Sequence, residues 1–154
     1  LRENDIAVMV QRTHSVPRFA EDDIDLPYKL PKLLEDEGVE YCLQGEGRMP
    51  EMNTRNLPFF AGTAVAYGLE YEQAIRALTL STARILGIDD VCGSLEPGKD
   101  ATLFISDGDA LDMMGNEVQY AWVQGRDVVL DNKQIQLYEK YKAKYDAQRA
   151  ADGR

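Results

Sequence analysis

Histidine is nearly missing from this 154-residue chain: His14 is the only one. A catalytic zinc centre takes about three protein ligands and draws heavily on histidine, so the chain cannot build a multi-histidine site by itself. Cysteine is scarce too. Cys42 and Cys92 form no Cys-x-x-Cys pair. Cys42 lies in an apolar, strand-like run and reads as a buried thiol, while a disulfide between the two stays open and the compartment is not fixed. No run of Lys or Arg exists, and the net charge is −10 with a pI of about 4.5. Such a chain is repelled by phosphate backbones and anionic lipid surfaces, and its single Trp offers little for base stacking. Nucleic acid and membrane are therefore set aside as partners. No apolar run approaches the ~18 residues that span a bilayer. The chain does not open on Met, and Leu1-Arg2-Glu3-Asn4-Asp5 lacks the pattern of a signal peptide. It reads as a processed or shortened chain, with any targeting signal ahead of Leu1.

What is present is a globular composition, 44% hydrophobic, in a length sufficient for one core. Ile6–Val10 is a continuous apolar run, as in a strand covered on both faces. The acidic loop Glu21-Asp22-Asp23-Ile24-Asp25 follows. The spacing of Leu30, Leu33 and Leu34 predicts a helix from Leu30 to Glu37, with Pro31 in its first turn and Gly38 at its stop. Val39–Leu43 reads as a second strand. Strand, helix, strand in this order implies parallel neighbours. A polar loop from Arg48 to Arg55 leads to a helix capped by Asn56, with Pro58 in its first turn, ending at Gly68. A second helix is predicted from Tyr71 to Leu86, burying Ala74, Ile75, Leu78, Thr82 and Ile85, with Gly87 at its end.

Beyond Gly87 the pattern changes to short strands separated by turns: Ala101–Ser106, Val118–Val123 and Asp127–Leu130. A charged helix from Asn132 to about Ala150 closes the chain. Its stripe of Ile135, Tyr138, Tyr141 and Tyr145 is expected to dock it onto the body. The acids Asp107, Asp109 and Asp112 lack the spacing of a calcium loop and read as a connection between strands.

One stretch stands out, Gly93-Ser94-Leu95-Glu96-Pro97-Gly98-Lys99-Asp100-Ala101. It holds a tight turn and no nucleophile, base or metal ligand. Together with Asn56-Leu57-Pro58-Phe59, Ala74 to Thr79, Ala83-Arg84-Ile85-Leu86-Gly87 and Gln124-Gly125-Arg126, it resembles the C-terminal part of the metal-dependent amidohydrolase superfamily, in particular its imidazolonepropionase- and dipeptidase-like members. The resemblance covers about Ile6 to Leu130. Thr13-His14-Ser15-Val16-Pro17 through Leu26-Pro27-Tyr28-Lys29-Leu30-Pro31 is also similar to a bacterial subgroup of it. In such enzymes the GSLEPGKDA-type corner is where the chain leaves a (β/α)8 barrel and enters a small β-sandwich built from both ends of the full chain. Where the family often continues Lys-Asp-Ala-Asp, this chain has Thr102.

The implied fold class is α/β: the last two βα units of a (β/α)8 barrel (1–88), strands of a composite β-sandwich (89–131), and a terminal helix and tail (132–154). A whole barrel needs roughly 250 residues, so the resemblance implies a fragment. The parent's partners would be a small-molecule substrate and the N-terminal remainder of the same protein. Its cofactor would be a divalent metal, zinc by family habit, with none expected in this chain alone. Orphan strand edges would favour self-association.

Ligands of such barrels sit at the C-terminal ends of the strands, which singles out three residues. His14 follows the first strand, either as a hydrogen-bonded loop residue or lining the substrate pocket. Glu46 follows the second strand at or beside the position of the family's aspartate, which binds metal and takes a proton from water. It is either that catalytic and metal-binding carboxylate or a solvated loop acid. Arg55 either holds a substrate carboxylate through its planar fork or is structural. Two functions remain: a piece of a hydrolase acting on C–N bonds of cyclic amides or dipeptide-like substrates, inactive alone, or a free-standing binding module that has lost the chemistry.

Overall fold

The computed structural model of the chain describes residues 1–11, 13–45 and 50–152. It is a mixed α/β arrangement of helices and two small sheets. β1 (Val8–Val10) and β2 (Tyr41–Leu43) pair in parallel, with Val8 opposite Tyr41 and Val10 opposite Leu43. The ladder continues where the Val8 amide donates to the Glu40 carbonyl (2.9 Å) and the Gln44 amide to that of Val10 (3.0 Å). α1 (Leu26–Asp36) is the crossover between them, as the strand–helix–strand order predicts.

α1 starts earlier than expected. Pro27, not Pro31, occupies its first turn, and Pro31 lies inside the helix. The ring forfeits the backbone bond to residue 27. Its side chain is fully buried, and that packing offsets the loss. The Asp25 carbonyl accepts from the amides of Tyr28 (2.9 Å) and Lys29 (3.0 Å), which explains why the helix reaches back into the acidic loop. Gly38, at φ +64°, stops it as expected.

The described part of the expected polar loop is helical instead: α2 (Pro50–Asn53) runs into a 3-10 turn, Thr54–Asn56. α3 (Leu57–Ala66) follows, with Asn56 at the cap position but no bond from its side chain, so Pro58 carries the helix start. The long helix expected from Tyr71 to Leu86 is two, α4 (Tyr71–Leu78) and α5 (Leu80–Leu86), broken at Thr79 (φ −120°, ψ −89°). The hydroxyls of Thr79 and Thr82 donate to the Ile75 carbonyl (2.8 Å) and the Ala77 carbonyl (2.9 Å). They compete there for backbone acceptors.

The core gathers Val10, Tyr41 and Leu43 from the sheet, Ala61 and Ala64 from α3, and Leu69, Ala74 and Ala77 from the next turn and α4. Alanines at the contacts let the helices lie close, and each buried large apolar side chain stabilises by about 1.5–3 kcal/mol. Leu111, from the second half of the chain, is buried in the same cluster.

The GSLEPGKDA corner joins the halves. The Asp100 amide donates to the Val91 carbonyl (2.8 Å), and the Gln124 side chain donates to the Asp100 carboxylate (3.0 Å). Gly98 takes the left-handed conformation, φ +98°, that the turn after Pro97 requires. β3 (Leu103–Asp107), β4 (Glu117–Val123) and β5 (Arg126–Asp127) form an antiparallel sheet with an irregular register between Ile105 and Ser106. The last strand is shorter than the expected Asp127–Leu130. Phe104, Ile105, Tyr120 and Val123 remain exposed on this sheet.

α6 (Lys133–Ala151) is capped by Asn132, whose side chain accepts from the Ile135 amide at 3.0 Å. The expected docking does not occur: no described residue of α6 is buried, and Ile135, Tyr138, Tyr141 and Tyr145 are all exposed. Lys142 and Lys144 lie 5.8 Å over the rings of Tyr138 and Tyr145. Cys42 is buried and Cys92 half-buried, both as free thiols.

Candidate functional site

β1 ends at Val10, and the chain turns over its C-terminal end to reach His14. Thr13 beside it is buried and fixes the loop. The ring of His14 packs edge-on against Phe60 of α3 (4.7 Å between centroids) and Tyr28 of α1 (6.2 Å). Nε2 of His14 lies 2.6 Å from Oγ1 of Thr63, whose own hydroxyl donates to the Phe59 carbonyl at 3.0 Å. When the Thr63 proton goes to that carbonyl, Nε2 of His14 donates to Oγ1 and Nδ1 keeps its lone pair. His14 retains solvent contact, yet packing among the aromatic rings desolvates it enough to lower its pKa below 6.5. It is neutral at pH 7.

His14 and Thr63 edge a cleft of ≈ 360 Å³ whose other wall is the loop after β3, with Tyr71, Asp109, Leu111 and Asp112. The Tyr71 hydroxyl donates to Asp109 Oδ1 at 2.7 Å, and the Leu111 amide donates to the same oxygen at 2.8 Å. The bond to Asp109 raises the Tyr71 pKa. Gly62 makes the close approach of the two walls possible, since a Cβ there would run into the Leu111 carbonyl oxygen. The cleft thus offers a neutral imidazole, two carboxylates and an aromatic floor. It is equipped to hold a small polar molecule.

Of the three residues singled out by sequence, His14 lies in this cleft. Arg55 is exposed in the 3-10 turn Thr54–Asn56 and does not line it. Glu46 lies outside the described residues. Thr63, Tyr71 and Gly62 were not foreseen; their partners are distant in sequence, and nothing in the local pattern pairs them. Asp109 and Asp112 were read as loop residues. They do lie in the β3–β4 connection, where Asp112 also accepts from the Met114 amide (3.2 Å). Among the described residues, no group of three or more His, Cys, Asp or Glu is arranged to hold a metal.

Residues 28–134 match the profile of the amidohydrolase family. An imidazolonepropionase from Picrophilus torridus is 37% identical over 86 residues, which cover 52% of this chain and 22% of that protein. The crystal structure of an amidohydrolase from Thermotoga maritima superimposes with a TM-score of 0.68 and 29% identity, over 82% of this chain and 32% of that one. An adenosine deaminase from Xanthomonas campestris, solved with bound zinc, shares the fold at a TM-score of 0.50 and 22% identity, over 78% of this chain and 34% of that one. This chain spans between 22% and 34% of the length of these relatives.

Proposed function

Because the chain belongs to the amidohydrolase family, we propose that it is the C-terminal portion of a metal-dependent amidohydrolase whose whole form hydrolyses a C–N bond in a small cyclic amide or dipeptide-like substrate. On this reading β1 and β2 are the last two strands of a (β/α)8 barrel within residues 1–88, and 89–131 supply strands to a small β-sandwich. The observation that carries it is the parallel β1–β2 pair with α1 as crossover, in a chain that spans only 32% of the Thermotoga amidohydrolase it superimposes on. Two parallel strands make little independent sheet, and the exposed faces of β3 and β4 await a partner layer.

The divalent metal would be held by the remainder of the barrel, with Glu46 of this chain as the carboxylate that reaches it. Within this chain, His14 is a neutral hydrogen-bonding wall of the substrate cleft. Its Nε2–H is engaged by Thr63, and Nδ1 is the nitrogen able to accept from substrate. Glu46, a few residues past the end of β2, is the carboxylate proposed to take a proton from water at the reacting carbon. Arg55 supplies a fork for a substrate carboxylate.

The test begins with the protein encoded in frame ahead of Leu1 together with this chain. It is expected to hydrolyse cyclic amides or dipeptides when loaded with zinc. The 154-residue chain alone is expected to show no turnover. Glu46→Gln in the whole protein should lower kcat by roughly 100-fold or more. A whole protein without a metal-binding upstream segment would replace this reading with that of a non-catalytic binding module, and a Glu46→Gln variant at full rate would remove Glu46 from the proton-transfer step.

A further inference from the structure

α6 combines features that its own body leaves unused. Leu137, Tyr138, Tyr141, Lys142, Tyr145 and Arg149 share one exposed face. Lys133, Lys140, Lys142, Lys144 and Arg149 against Glu139 and Asp146 give the helix a net charge of +3, in a chain whose total is −10. The family match ends at residue 134, just inside the helix, so the fold shared with the relatives does not dictate what covers it.

The complement lies elsewhere on the same molecule. In the loop before α1, Val16, Phe19 and Ile24 are 83%, 56% and 74% exposed. They are interleaved with Glu21, Asp22, Asp23 and Asp25. Lys29 pairs with Asp23 (2.7 Å) and Asp25 (3.3 Å), and Asp22 accepts from the Phe19 amide (3.2 Å), which leaves Glu21 as the charge most available to a basic partner. Arg18 lies 5.5 Å over the Phe19 ring, but the four acids outnumber it, and the loop is a net-acidic apolar counterpart of the lysine-flanked aromatic stripe.

We propose that the occupant of this helix face is a second copy of the chain, each copy laying α6 against the 16–25 loop of the other in a two-fold exchange. Area favours the reciprocal form. A fully covered tyrosine buries about 150–250 Å². Tyr138, Tyr141 and Tyr145 are 65%, 47% and 53% exposed and Leu137 40%, so about half of that remains on each, and the reciprocal contact, with the loop surface it covers counted on both copies, reaches the roughly 1,000 Å² that a specific interface needs. A single helix docked once would not. Opposite charges around the rim set the register of the contact and speed encounter. The proposal does not rest on the hydrolase reading, and either can fail without the other.

A charge-swap experiment decides it. In one variant the helix is reversed, Lys142→Glu with Arg149→Glu. In the other the loop is reversed, Glu21→Lys with Asp22→Lys. Lys142, Arg149 and Glu21 are exposed and Asp22 is half-buried, and circular dichroism checks that both variants fold. Association is read by energy transfer between chains labelled at their N-termini and by sedimentation. The native chain is expected to form dimers. Each variant alone should associate about tenfold more weakly or worse, since like charges now face each other. An equimolar mixture of the two should regain native association, because every helix then meets a loop of opposite sign. A native chain that stays monomeric, variants that associate as the native chain does, or a mixture no tighter than either variant alone would each overturn it. The last two results would point to the open strand edges or to another partner as the cover.

Discussion

At the scale of single residues, His14 is the best reporter the molecule has, because it is the only histidine and its proton resonance needs no assignment. Its pKa is expected below 6.5, since the rings of Phe60 and Tyr28 partly strip water from the charged form. Thr63→Val should lower it further, because it removes the acceptor on Nε2 and puts a methyl in its place. The unfolded chain then binds the proton at a higher pH than the folded one. Stability owed to this group is complete above the unfolded value of about 6.5 and is lost as pH falls from there through the folded pKa. Subtracting the pH–stability curve of His14→Gln isolates it, and a His14 titrating at or above 6.5 would sink the account. Gly62 offers a second test. Replacing a glycine inside a helix by alanine ordinarily stabilises by about 1 kcal/mol. Here the new methyl would push into the Leu111 carbonyl, so Gly62→Ala should lower the melting temperature by several degrees, and a rise would refute the close approach. Little of this was legible in the sequence. His14 stood out by its rarity, but Thr63 and Phe60 are contacts made by folding, and no local pattern announces them.

At the scale of elements, legibility follows the physics of each signal. The parallel pair was readable because continuous apolar runs bracket one helix, and the corner around Pro97 because Gly and Pro leave few backbone choices. The start of α1 was not. Two prolines compete for its first turn, and only the burial of Pro31 decides between them. The break at Thr79 was hidden by apolar spacing that continues across it, although the hydroxyls of Thr79 and Thr82 divert backbone carbonyls there. The docking of α6 was read from its stripe alone, which shows that a face wants a partner but not where the partner is. That helix depends on its own ends. Asn132→Ala removes the side-chain acceptor of the Ile135 amide, at about 1 kcal/mol. Amide exchange in the first turn of α6 should accelerate roughly fivefold, with the parallel pair unaffected. Equal exchange in both proteins would mean that the cap contributes nothing.

At the scale of the whole molecule, charge separates two effects that packing cannot. The chain carries 27 acidic against 17 basic residues, and α6 holds five of the basic ones against two acids, so the part preceding it is more acidic than the total implies. Like charges on that part repel across distances that salt shortens, from a screening length of about 30 Å at 0.01 M to about 3 Å at 1 M. Its melting temperature should therefore rise with sodium chloride over that range. The contact between basic helix and acidic loop draws on the opposite attraction and should weaken over the same range. Melting followed at the Trp122 fluorescence, and association followed by sedimentation, are expected to move in opposite directions as salt is added. Were both to strengthen together, apolar burial alone would govern the assembly, and the charged rim of α6 would have no part in choosing its partner.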